Sequence, residues 1–140
     1  MLALIHLLIQ LQLRGMRSLF TLFSIARSPL ILTSNLLRNE DDIYRILTQP
    51  DCIAVNQRGE KPLCLSKEGD LHVWRSRADG RDYLACFNLA DEDLMLDVPV
   101  PDDCAGRTAL DVWTAQSFPI EKGTMKLTIA SHGVVFLRII

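Results

Sequence analysis

The stretch SIARSPLILTSNL, residues 24–36, sets the tightest bound on what this chain can fold into. A helical pattern runs into a proline, then into an apolar strand pattern, then into polar residues. The residue before a proline is pushed out of the α region, so the helix stops at Pro29. The segment PLILT is apolar on both faces, as in a strand buried within a parallel sheet. One such strand cannot make a sheet, and everything after about residue 70 reads as antiparallel β. The front of the chain therefore reads as the last βα segment of a larger α/β domain, followed by a small β domain.

The flanking residues extend this reading. In MRSLFTLFSIAR, residues 16–27, Leu19, Leu22, Phe23 and Ala26 recur at helical spacing and mark one face. Asn39 is placed to cap a second helix, with Glu40, Asp41 and Asp42 in its first turn, where the helix dipole favours acids. Ile43, Ile46 and Leu47 form its inward stripe. Pro50 opens a further short helix through Ile53 and Val55. The polar stretch NQRGEKPLCLSKEGD, with two glycines and a proline, reads as the boundary, with a linker over 58–70. Beyond it the period becomes two. Asp79-Gly80 is a hairpin signal, and Tyr83, Ala85, Phe87 and Leu89 share one face of the strand that follows. About six short strands are expected over 71–140, the spacing of a β-sandwich or Greek-key domain.

Charge and cysteine usage exclude several functions. A formal net charge of −2, with arginines mixed among acids, is not the basic footprint of a nucleic-acid binder. Cys52, Cys64, Cys86 and Cys104 include no C-x-x-C pair, and His6, His72 and His132 stand alone in sequence, so no metal site is expected. The even count allows disulfides, but a chain this apolar does not need them, and the cysteines read as buried free thiols. The N-terminal MLALIHLLIQLQLRG is apolar only to about Leu13, too short for a membrane-spanning helix. It has no positive charge ahead of its apolar run, as a signal peptide would, which leaves a signal peptide as the minor alternative. Residues 1–15 are expected to form a helix or strand that packs against something, because an exposed run this apolar invites association.

These residues resemble the end of the catalytic barrel in the α-galactosidases of glycoside hydrolase family 27. Ser28, Pro29, Leu30, Ile31, Asn35 and Leu36 match the family's strand motif. Leu47, Thr48, Pro50, Ile53, Ala54, Val55, Asn56 and Gln57 match its L-T-N-P-x-V-I-A-V-N-Q-like motif. DVWT at 111–114 and SHGVVFLRI at 131–139 look like strands of its C-terminal β domain. The resemblance covers residues 16–140; residues 1–15 depart from the pattern. It implies an α+β fragment: the last helix-strand-helix of a (β/α)8 barrel over 16–57, then an antiparallel β-sandwich over 71–140. A whole barrel takes about 250 residues.

The resemblance implies a parent that hydrolyses terminal α-galactosides with retention and needs no cofactor. That chemistry uses two carboxyl groups about 5 Å apart. The family's K-Y-D-like and D-P-D-M-like motifs are not in this sequence, so no catalytic, substrate-binding or metal-binding residue is carried over. Asp41 and Asp42 read as helix N-terminal charges, Asp91, Glu92 and Asp93 as a solvated turn, and Asp102 and Asp103 as loop residues. His72 reads as a strand residue and His132 as a turn cap; neither forms a triad. Asn35 reads as a turn residue at the end of the barrel strand, ahead of the alternative that it lines the rim of a sugar pocket in a complete enzyme. Trp74, Tyr83, Phe87 and Trp113 open the alternative of a free-standing carbohydrate-binding or scaffold module, against the reading of strand aromatics as core or interdomain anchors. Apolar Phe20, Phe23, Ile25 and Leu30, without the rest of a barrel, predict self-association. The sequence carries no convincing export signal, although the parent family is often secreted.

Overall fold

The computed structural model describes residues 1–29 and 41–140. The expected strand at Leu30 and Ile31, the cap at Asn39, Glu40 and the turn at Asn35 lie outside the described residues. Among the described residues three helices precede eight strands. The helices are α1 (Leu2–Ile25), α2 (Asp41–Leu47) and α3 (Pro50–Arg58). The strands are β1 (Glu60–Glu68), β2 (Leu71–Ala78), β3 (Arg81–Asn88), β4 (Leu94–Pro99), β5 (Thr108–Asp111), β6 (Ser117–Pro119), β7 (Thr124–Ile129) and β8 (Val134–Ile139).

Residues 1–15 and the helix expected over 16–27 form one helix. Leu, Ile, Gln and Met favour the helical state, and no proline interrupts them. The end is a left-handed cap. Arg27 has φ +56, and the Ser28 amide reaches back to the Phe23 carbonyl at 2.9 Å, just before Pro29. The buried face is not the one that spacing suggests. Leu13, Phe20, Thr21, Ser24 and Ile25 are buried, whereas Leu19 and Phe23 are exposed. The helix is apolar on more than one face, and periodicity cannot choose between them. The small residues decide. Thr21 and Ser24 satisfy their hydroxyls on the Arg17 and Phe20 carbonyls, each at 2.7 Å. They lie against the Cys52 thiol of α3, which lets the two helices approach closely.

In α2, Ile46 is buried and Ile43 and Leu47 pack beside it, while Asp41 and Asp42 occupy the exposed first turn. Pro50 is the first residue of α3, and the Gln49 side chain caps it by accepting from the Asp51 amide at 2.9 Å.

The strands form a six-stranded antiparallel sheet, β1-β2-β3-β8-β5-β6, and a two-stranded sheet, β4-β7. Leu84, Cys86, Leu137 and Val73 on one face of the large sheet meet Val98, Leu127 and Ile129 of the small one. Tyr83, Ala85, Phe87 and Phe136 on the opposite face meet Phe20, Ile25, Ile46, Cys52 and Val55 of the helices. The molecule is thus helix layer, sheet, sheet. Tyr83, Ala85 and Phe87 share the helix-facing side as expected, but Leu89 lies beyond the strand and is exposed. The Asp79-Gly80 turn takes φ +51 and +74, the doubly left-handed hairpin turn that matches strand twist.

The stretch 58–70 is not a linker. It holds β1, an edge strand paired to β2 with register shifts between Glu60 and Leu63 and between Cys64 and Ser66. Its polar sequence and Pro62 are what an edge strand tolerates, since one side faces water and need not donate. The strands number eight rather than about six because β1 and the three-residue β6 carry too little alternation to be read.

Candidate functional site

The two motif blocks of the sequence meet in space. Asn56 Nδ2 donates to the Ser28 carbonyl at 2.7 Å and to the Phe23 carbonyl at 3.3 Å, tying the end of α3 to the end of α1. Arg27 Nε donates back to the Asn56 carbonyl at 3.1 Å. At its other end α3 is clasped to the large sheet. Asp51 Oδ1 accepts from the Tyr83 hydroxyl at 2.7 Å, and Arg138 approaches both carboxylate oxygens at 3.2 and 3.1 Å. The Tyr83 ring lies against Phe136 with centroids 5.5 Å apart. Burial, with the Asp51 carboxylate beside it, pushes Tyr83 ionisation well up, so its hydroxyl keeps its proton. Outside this clasp, the exposed Arg58–Asp79 pair adds little to stability.

A second polar centre forms where β5 ends. Asp111 is buried and accepts from the Thr114 hydroxyl at 2.8 Å and from the Trp113 and Phe136 amides at 3.2 and 3.3 Å. Burial pushes the Asp111 carboxyl above its ordinary range, while the Thr114 hydroxyl and the two amides oppose that rise. The resulting turn points Trp113 at α1, where its indole N–H donates to Thr21 Oγ1 at 3.0 Å. The Arg17 guanidinium stands 6.0 Å from the centre of the Trp113 ring. DVWT therefore anchors the helix layer to the sandwich. Tyr83 and Phe87 are buried and closed to a sugar, and Trp74 and Trp113 are half-buried against the helix layer. Beside Trp113 a groove of about 440 Å³ opens between α1 and the sandwich, lined by Arg14, Arg17, Trp113, Thr114, Gln116 and Lys126 among others.

The remaining acids named from sequence have structural partners or lie in solvent. Arg75 joins Asp103 at 2.6 Å and Asp82 at 3.1 Å, and Arg107 holds the other Asp82 oxygen at 3.1 Å. Arg75 beside it holds the Asp103 carboxyl below its ordinary range. Asp91 pairs with His132 at 2.7 Å, and Asp93 accepts from the Ser131 amide at 2.8 Å. Glu92 and Asp102 are exposed, and His72 is half-buried on β2. No group of three metal-ligating side chains converges among the described residues, and no described helix is long and apolar enough to cross a membrane. Sequence reasoning missed Asp51, Arg138 and Asn88, whose roles exist only across strands. Asn88 is fully buried and donates to the Glu92, Ile129 and Ala130 carbonyls at 2.9, 2.9 and 3.3 Å.

Residues 68–139 match the family described as the alpha galactosidase C-terminal beta sandwich domain. The chain is 29% identical to alpha-galactosidase A of Aspergillus niger, over 88% of this chain and 24% of that protein. It is 28% identical to alpha-galactosidase mel1 of Schizosaccharomyces pombe, over 85% of this chain and 30% of that protein. The chain thus spans about a quarter to a third of these relatives. Among solved structures it is similar to a GH27 β-L-arabinopyranosidase of Geobacillus stearothermophilus, with TM-score 0.81 at 24% identity, covering 91% of this chain and 30% of that one. Alpha-galactosidase I of Mortierella vinacea superposes with TM-score 0.80 at 18% identity, covering 91% and 36%.

Proposed function

Since the chain belongs to the family of α-galactosidase C-terminal β-sandwich domains, we propose that it serves to brace the end of a glycosidase barrel whose activity is hydrolysis of terminal α-galactosidic bonds with retention. The observation that carries this is the built contact between the helix layer and the large sheet: the Asp51–Tyr83–Arg138 clasp, the Trp113–Thr21 bond and the shared apolar cluster. A sheet that buries tyrosine, phenylalanine and arginine stems against barrel helices fixes those helices in place. We read the two carboxyl groups of that chemistry as missing from this chain, because neither a K-Y-D-like nor a D-P-D-M-like motif stands in its sequence, and on that reading the chain alone is catalytically silent. The purified chain is expected to release no product from an α-galactoside above an empty preparation; turnover above that background would overturn the silence.

The partner of the assembled enzyme is an α-galactoside carbohydrate, and no cofactor is needed for such a displacement. The chain on its own associates with itself through the apolar surface of α1. A second reading, a carbohydrate-binding module, draws on the half-buried Trp113 at the groove. Titration with galactose, melibiose and a galactomannan, followed by tryptophan fluorescence, tests it; no saturable change removes it.

A further inference from the structure

Among the described residues, the groove beside Trp113 holds a cation whose Nε has no acceptor. Arg14 and Arg17 stand three residues apart on α1 and so share a face, and Lys126 of β7 lines the same groove. Among the described residues Arg17 Nε is buried with no hydrogen-bond partner, and its guanidinium makes no ion pair. An unsatisfied buried donor is rare in a folded protein and calls for an acceptor. Burial disfavours the charge of the one lining acid, Asp111, Arg17 offsets this only from a distance, and the Asp111 oxygens are taken by Thr114, Trp113 and Phe136. Trp113 holds the guanidinium from one side. Exposed Thr114, Gln116 and Thr128 add hydroxyl and amide groups along the wall. The volume of about 440 Å³ lies in the range of small-molecule sites.

We propose that this groove binds an anionic sugar, with the oxyanion on Arg17 and Arg14 and the hydroxylated ring along Trp113, Thr114 and Gln116. A planar guanidinium matches a carboxylate or a phosphate in a paired, charge-assisted hydrogen bond. The oxyanion therefore has two sources, a uronic acid or a sugar phosphate. The site lies on the sandwich side of α1 and does not depend on the glycosidase reading; the activity assay and the binding assay fail separately.

Isothermal titration of the full chain with galacturonate, glucose 6-phosphate, galactose and inorganic phosphate tests the proposal. Saturable binding of either anionic sugar, at least about tenfold tighter than galactose and inorganic phosphate, is expected, and the tighter of the two identifies the oxyanion. Equal binding of galactose overturns the ionic recognition, and equal binding of inorganic phosphate overturns the sugar. Absence of saturable binding overturns the site. Arg17→Met, which keeps an apolar stem against Trp113, is expected to weaken binding at least about tenfold. Lys126→Glu, on an exposed strand position, reads the same loss without touching the helix interface; unchanged affinity in both variants overturns the assignment.

Discussion

Removing one hydroxyl from the clasp tests how the helix layer is held. Tyr83→Phe deletes the donor that meets Asp51 Oδ1 at 2.7 Å and leaves the ring stacked on Phe136. A hydrogen bond to a charged group contributes about 1.5–3 kcal/mol, and this one is mostly shielded, since the Asp51 side chain is 14% exposed. Arg138 still approaches the carboxylate at 3.1 Å, so the charge is not stranded and the loss falls near the middle, about 2 kcal/mol. For 140 residues the unfolding entropy is about 0.3 kcal/mol/K, which converts that loss to a Tm about 7 °C lower. Arg138→Met strands the carboxylate and is expected to cost more, about 3–5 kcal/mol. Urea unfolding followed by far-UV circular dichroism measures both, and a cycle with Asp51→Asn isolates the Tyr83–Asp51 coupling, expected at about 1 kcal/mol or more. A Tyr83→Phe cost below about 0.5 kcal/mol would refute the reasoning, because it would mean that water replaces the hydroxyl and the clasp carries no stability.

Asn88→Ala leaves buried carbonyls of β7 and its turn without donors, and a loss of about 3 kcal/mol or outright misfolding is expected in the same urea experiment. Burial pushes the Cys52 and Cys86 thiols up to about 12 from an ordinary 9.0, so the folded state holds their protons more tightly than the unfolded state. That stability is fully present below about pH 9 and is lost as pH rises toward about 12, by about 1.4 kcal/mol per pH unit for each thiol. Unfolding free energies taken from pH 8 to 11 should hold to about pH 9 and then fall with that slope, and Cys86→Ala should make the fall shallower; a flat profile in the parent chain contradicts the burial. Half-buried Cys64 should react with a thiol reagent before Cys52, Cys86 and Cys104, which are buried. Exposed Leu2, Leu4, Leu7, Leu8 and Leu11 of α1 predict concentration-dependent association by light scattering, which a monodisperse monomer would contradict.

Local signals determined much of this protein. The stop before Pro29, the start at Gln49-Pro50, the Asp79-Gly80 hairpin and the change of period after residue 70 are each written in adjacent residues, because each fixes backbone angles where it stands. The family was legible for the same reason, in short motifs at both ends of the chain. Burial was not. Whether Leu19 and Phe23 or Phe20, Thr21 and Ser24 face inward depends on what approaches α1, and the approach is set by Cys52 and Trp113, far along the chain. The polar stretch 58–70 became a strand because β2 offered it partners at a sheet edge. Trp113 became an anchor because Thr21 lies within 3.0 Å, and Asp51 became a clasp because β3 and β8 bring Tyr83 and Arg138 side by side. A residue's neighbours in sequence dictate the backbone it can adopt; tertiary packing alone decides which of its faces water leaves.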